Sequence, residues 1–209
     1  IKKLQDIANV LGVKLTDYAA NRENVVNLFE NLYNGTDGLP EISDDDFLFV
    51  WTFGHGNKDN NGVYSLCLVD GFLQDSIFSP LINAIPANRK AVWMQQCFGG
   101  GFANTLQSDN LVFNSASQGN QPAYRADDCA NTNQGYIENE IIDGKKYYHG
   151  EFNYHVISAN KGLSPSYQDN YNGILYSTAD LNNDNIISFY ETSVWEEARE
   201  SIDKPHGEE

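Results

Sequence analysis

Basic residues are scarce in this chain: 13 lysines and arginines stand against 29 aspartates and glutamates, leaving a formal charge of −16. That balance repels phosphate backbones and favours cationic ligands, calcium and basic peptides among them, so nucleic acid is not an expected partner. For a segment such as Ser43-Asp44-Asp45-Asp46 the blander role of keeping a surface solvated is sufficient. Cysteine is sparse as well. Cys67, Cys97 and Cys129 are too few for a disulfide framework, and their spacing fits no zinc motif. A Cys67 to Cys129 bridge leaving Cys97 free and a set of three free thiols both stay open. Also missing is any apolar run long enough to cross a bilayer, and Ile1-Lys2-Lys3-Leu4 reads as an amphipathic start rather than a signal peptide. The expectation is a soluble protein, whether exported, extracellular or retained. Without internal repeats or low-complexity linkers, 209 residues suffice for one core and a small appendage. The core is assigned to residues 1–165, with a long loop and hairpin over 118–150, and the extension to 166–209.

What is present is a histidine and a cysteine in matching settings. Asp46 to Gly56 is an apolar run ending in Phe53-Gly54-His55-Gly56, and Lys90 to Gly101 is another, ending in Cys97-Phe98-Gly99-Gly100-Gly101. Short runs rich in β-branched and aromatic residues and stopped by glycine predict buried strands, here over 46–53 and 90–96. Helical spacing predicts a first helix through Leu4, Ile7, Ala8 and Leu11, then a short extended segment near Val13 to Leu15. A second helix is capped by Asn21, buried through Val25, Leu28, Phe29 and Leu32, and ended by Gly35.

Further on, a polar loop is predicted over 57–62, an extended stretch over 63–69, and a helix opened by Ser79-Pro80 and closed by Pro86. A helix near Phe102 to Leu106 and a strand over 111–116 follow. Next come a loop over 118–134, a hairpin turning at Asp143-Gly144, a helix over 152–159 and a final helix from about Phe189 to Ile202, with His206 in a frayed tail. Strands alternating with helices define an α/β fold, with a mainly parallel sheet covered on both faces. Ligands bind such sheets beyond the carboxyl ends of the strands, which is where His55 and Cys97 fall.

A thiolate is among the strongest nucleophiles a protein offers, and glycines leading into a helix supply backbone N–H groups for an oxyanion. A neighbouring histidine moves the protons. Either residue alone reads more simply as structural, a buried cysteine or a turn histidine. Together, each at a strand end and each followed by glycine, they predict acyl transfer from a peptide bond.

Phe53-Gly54-His55-Gly56, Gln95-Gln96-Cys97-Phe98-Gly99 and Asn114-Ser115-Ala116-Ser117 resemble the motifs of the caspase-like cysteine peptidases, the group that includes caspases, metacaspases and legumain. Gln95, Cys97 and Gly99 match the caspase signature, with His55 at a comparable distance upstream. Gln96 and Phe98 depart from it, so the likeness is to the wider clan. It spans roughly residues 20 to 125. It implies a three-layer sandwich with Cys97 as nucleophile, His55 as proton carrier, and the amides of Gly56 and Cys97 as oxyanion donors. It also implies a pocket for the residue before the scissile bond, formed by Gln95, Ser115 to Ser117 and Tyr124 to Asp128. Asp127 and Asp128 suit a basic side chain there, Arg125 an acidic one; the lean is toward a basic one. That fold opens with a strand before its first helix and nothing precedes Ile1, so the sheet is expected without its opening strand.

Asp180 to Glu191 fits a twelve-residue EF-hand-like loop, with Asp180, Asn182, Asp184, the Ile186 carbonyl, Ser188 and Glu191 as oxygen donors to one structural calcium ion. Asn185 stands where glycine is usual, and asparagine tolerates the same left-handed geometry. Ser188 to Glu191 is also a capping box for the last helix, a role compatible with metal binding. The combined reading is a calcium-stabilised cysteine endopeptidase acting on peptides or proteins. Its competitors are a noncatalytic calcium-stabilised scaffold and a thiol acyltransferase or transamidase. Natural substrate, activation by processing and oligomeric state are not written in the sequence.

Overall fold

The computed structural model describes residues 17–123, 140–142, 145–147, 150–161, 179–197 and 206–208. The expected first helix, the Val13 to Leu15 segment, the hairpin turn at 143–144 and the pocket residues Tyr124, Arg125, Asp127 and Asp128 lie outside them.

Helix α1, Arg22–Asn34, begins and ends as its sequence dictates. The Asn21 side chain accepts the Asn24 amide at 2.8 Å, satisfying one of the donors that a helix start leaves open, and Gly35 takes φ +61° to close the last turn. Phe29 is buried, with Val25, Val26 and Leu32 packed beside it. Strand β1, Phe47–Phe53, then runs parallel to β5, Arg89–Gln95, which runs parallel to β6, Leu111–Ser115. The α/β expectation holds at this level: three parallel strands with helices packed against the sheet. β5 is the middle strand and is buried along nearly its whole length, as its uninterrupted apolar run requires.

Between β1 and β5 lies a three-stranded antiparallel sheet of β2, Gly56–Lys58, β3, Tyr64–Leu68, and β4, Gly71–Gln74. The loop expected over 57–62 is therefore partly strand, and β4 was not expected at all. Asn61-Gly62 and Asp70-Gly71 carry the signal: both pairs favour tight hairpins, and Gly62 and Gly71 take φ +83° and +137°. Helix α2, Asp75–Ala84, starts well before Pro80, so proline sits inside the helix and does not open it. Burial of Phe78 and Ile82 supplies the packing that holds it.

After β5, Gly99–Asn104 is a 3₁₀ helix, earlier and tighter than the helix predicted near 102–106. Strands β7, Glu140–Ile142, and β8, Lys145–Tyr147, pair antiparallel as the Asp-Gly turn predicts, with Ile142 opposite Lys145. Helix α3 is Glu151–Lys161 and α4 is Phe189–Glu197. His206, expected in a frayed tail, instead opens β9, His206–Glu208, which pairs antiparallel with β6 and occupies the edge that β6 would otherwise leave open.

One core lies between the sheet and α1 and α2, centred on Leu73, Phe78, Ile82, Val92, Met94, Phe102 and Phe113. A second, of Trp93, Ala116, Phe152 and Val156, covers the other face of the sheet. Trp93 meets Phe49, Trp51, Phe152 and Phe189 edge-on, with centroids 5.0 to 6.4 Å apart, the preferred arrangement for aromatic pairs. Ala159, Ala179 and Trp195 form a third cluster that ties the extension to α3. Among the described residues no helix is long and apolar enough to cross a membrane.

Candidate functional site

The parallel register of β1 and β5 sets Phe53 against Gln95. His55 and Cys97 each follow two residues beyond this last rung, so the two chemistry-bearing residues leave neighbouring strands at the same level and the same end of the sheet. Gly56 closes the gap between the two chains. A Cβ at position 56 would collide with the Cys97 carbonyl oxygen and come within 2.9 Å of the Gln96 side chain, so only glycine permits this approach. His55 is exposed and Cys97 is half-buried with a free thiol, whose Sγ lies 3.8 Å from the Ala123 carbonyl oxygen.

The Cys97 turn is held from several sides. Phe98 donates its amide to the Gln121 carbonyl at 3.0 Å, Gly99 to Gln96 at 3.2 Å, Gly100 to Ser117 at 2.8 Å and Gly101 to Phe98 at 3.0 Å. No carbonyl among the described residues takes the amide of Cys97 itself. Phe98 sits at φ +62°, where a bulky side chain is strained, and such strain persists only where the surroundings fix it. Gly56 has comparable freedom. The ladder bonds on either side, Cys67 N–H to the His55 carbonyl at 2.9 Å and Asp59 N–H to the Val63 carbonyl at 3.0 Å, belong to alternate rungs. Gly56 therefore occupies a non-hydrogen-bonded rung, and its amide points away from β3.

The residues expected to form the first pocket fare unequally. Gln95 is buried, and a side chain at Gly150 would collide with its carboxamide nitrogen; its Oε1 has no hydrogen-bond partner among the described residues. Ser115 and Ser117 are fully buried. Their hydroxyls donate to the carbonyls of Ser117 at 2.9 Å and Gln96 at 3.2 Å, bracing the strand end rather than lining an open surface. Gln96 accepts the Thr52 hydroxyl at 2.7 Å, a tie between β1 and the Cys97 turn that sequence reasoning did not assign. A cavity of about 480 Å³ opens beside the turn, lined by Tyr64, Gly100, Gly101, Asn104, Gln118 and Gly119.

Cys67 was also overlooked as part of this site. It lies on the rung of the β2–β3 ladder opposite His55, and its thiol is free. Burial pushes that thiol above its ordinary pKa, and the nearby Cys97 adds in the same direction. Cys67 is thus kept neutral at physiological pH.

In the extension, the loop over 180–191 folds its oxygen-bearing side chains inward. Asp180 accepts the amides of Asp184 at 3.1 Å and Asn185 at 2.9 Å, while Asn182 Oδ1 accepts Asp184 N–H at 2.8 Å. Asp184 accepts Ile186 N–H at 2.8 Å. Asn183 and Asn185 take φ +63° and +66°, so asparagine does adopt the left-handed turn at the position where glycine is usual. Glu191 reaches back across the loop, accepting the amides of Leu181 and Asn182 on one oxygen and both the amide and hydroxyl of Ser188 on the other. The Glu191 amide in turn bonds Ser188 Oγ at 3.2 Å, completing the expected capping box. Bonds from Ser188 and, more weakly, from Leu181 and Asn182 hold the Glu191 carboxyl below its ordinary range.

Among the described residues no group of three or more His, Cys, Asp or Glu side chains is set around a common metal position. The donor set of this loop is mixed: three carboxylates, a carboxamide, a hydroxyl and a backbone carbonyl. All are hard oxygens of the kind calcium takes, so the loop fits the ion by donor chemistry, while its three carboxylates are not gathered around one position.

No family model matches the chain, and no curated protein does. Among solved structures, the chain is similar to a crystal structure of a protein from Geobacter sulfurreducens at 17% identity and a TM-score of 0.39. That similarity covers 57% of this chain and 63% of the other.

Proposed function

We propose that this chain is a cysteine endopeptidase of caspase-like architecture that cleaves peptide bonds through Cys97 and His55. The observation that carries the reading is the register: one rung, Phe53 against Gln95, sets both reactive residues two positions past the ends of adjacent parallel strands. The sulfur of Cys97 attacks the scissile carbonyl carbon, forming a C–S bond. The oxyanion is received by the amides of Gly56 and Cys97, which are free to donate for the reasons given above. His55, which takes the thiol proton as the sulfur attacks, delivers it to the leaving nitrogen as the C–N bond breaks, then takes a proton from water and returns it to the sulfur as hydrolysis of the thioester breaks the C–S bond. The exposure of His55 suits a residue that exchanges protons with incoming water.

For the residue before the scissile bond we favour a basic side chain, which the unpartnered Oε1 of Gln95 and the expected Asp127 and Asp128 would accept. A single calcium ion would be held by Asp180, Asn182, Asp184, the Ile186 carbonyl, Ser188 and Glu191. Its chemistry there is charge neutralisation and bracing, remote from the bond being cleaved. The test of the proposal is hydrolysis of a positional peptide library by the wild type and by Cys97→Ala. Cleavage that vanishes in the variant supports it. Cleavage that survives, or a wild type inert to every peptide, refutes it.

A further inference from the structure

The antiparallel sheet beside the site carries a row of side chains that the peptidase mechanism above does not use. Leu66 faces Leu73 across β3 and β4, and both are buried, so this face of the small sheet belongs to the core. The next rung outward pairs Cys67 with Phe72. Because successive residues of a strand point to opposite faces, Cys67 and Phe72 stand on the outer face, and so does His55, which bonds Cys67 on the other side. The sequence of the row is thus His55, Cys67, Phe72, running away from the proton carrier. Its character is apolar: Cys67 is a neutral thiol and Phe72 is a phenyl ring left 56% exposed.

In acyl transfer, the residue that protonates the leaving nitrogen must stand on the leaving-group side of the scissile bond. A surface that continues outward from His55 therefore meets the first residue after that bond. We infer that Cys67 and Phe72 form the subsite for this residue and select an apolar, preferably aromatic, side chain there. The inference rests on the peptidase reading and adds a specificity to it on the side opposite the Gln95 pocket. Exposed aromatic surface next to a catalytic group gains by being covered.

The test uses two internally quenched peptides that differ only after the scissile bond, phenylalanine in one and lysine in the other. The methyl ester of the same acyl sequence provides a third substrate, whose leaving group is too small to reach the row. The wild type is expected to prefer phenylalanine. In Phe72→Asp the phenylalanine-to-lysine ratio of kcat/KM, each normalised to the ester, is expected to fall by about tenfold, the loss of roughly half an aromatic side chain's burial. Phe72→Leu should restore most of it. A ratio unmoved by Phe72→Asp, or a decline shared equally by peptides and ester, overturns the subsite while leaving the peptidase intact. A wild type that cleaves neither peptides nor ester overturns the underlying reading and the subsite with it.

Discussion

Phe98, directly after Cys97, and Gly56, against the Cys97 carbonyl, make this turn a place where single atoms matter. Gly56→Ala inserts a methyl group into the Cys97 carbonyl oxygen and displaces the amide that the proposed mechanism assigns to the oxyanion. The expected result is a loss of about a hundredfold in kcat, the cost of one oxyanion donor, read by peptide hydrolysis. At Phe98 the left-handed backbone penalises any side chain. Phe98→Gly and Phe98→Ala both remove the ring, but only the glycine relieves the strain. Glycine should thus be the more stable variant by about 1 kcal/mol in urea unfolding, the reverse of the order found where φ is negative. The pairing of His55 with Cys97 was legible because both carry the same punctuation, an apolar run stopped by glycine. Phe98 gave no such sign: nothing in a Cys-Phe-Gly string announces that the phenylalanine, rather than the glycine, takes the positive φ. Cys67 was hidden for a related reason, since its relation to His55 exists only across the ladder.

At the level of elements, the strongly periodic or uniformly apolar segments were readable as elements and the short ones were not, but β1, expected to be buried, is an edge strand that leaves Phe47, Phe49, Trp51 and Phe53 exposed. α1 carries its own start and stop, Asn21 and Gly35, and β5 is apolar because both faces are covered. β2 and β4 are three and four residues long, too short for alternation to emerge, and β9 is a strand because β6 has an edge to offer rather than from any preference of His206-Gly207-Glu208. The loop over 180–191 and helix α4 share Glu191, which couples the metal reading to stability. If calcium braces this element, it should raise the melting temperature of the wild type and leave the Asp180→Ala, Glu191→Ala double variant unmoved; an equal rise in both would remove the ion. Acid should act here too. The Glu191 carboxyl titrates below its ordinary value of 4.5 in the folded chain, so its stabilisation is complete above that value and is lost as pH falls through the depressed one. Thermal melts from pH 6 downward are expected to show a decline beginning below about pH 4.5 that Glu191→Gln lacks.

For the molecule as a whole, the parallel sheet brings two sequence-distant strand ends to one edge, and the small antiparallel sheet inserted between them supplies both the glycine contact and the outer row beside His55. The alternation of strands and helices made the α/β architecture readable from sequence, along with the arrival of His55 and Cys97 at one end of the sheet. The small sheet's position was not, because its contacts with the Cys97 turn run through a backbone carbonyl and a missing Cβ, features without a residue signature. The peptidase account depends on the sulfur of Cys97 acting as nucleophile. The most direct test is trapping: incubation with a peptidyl chloromethyl ketone, followed by mass measurement of intact protein and of its peptides. The account predicts one adduct per chain, on Cys97, abolished by Cys97→Ala and slowed by His55→Ala; equal labelling of Cys67 and Cys97, at rates indifferent to His55, would contradict it.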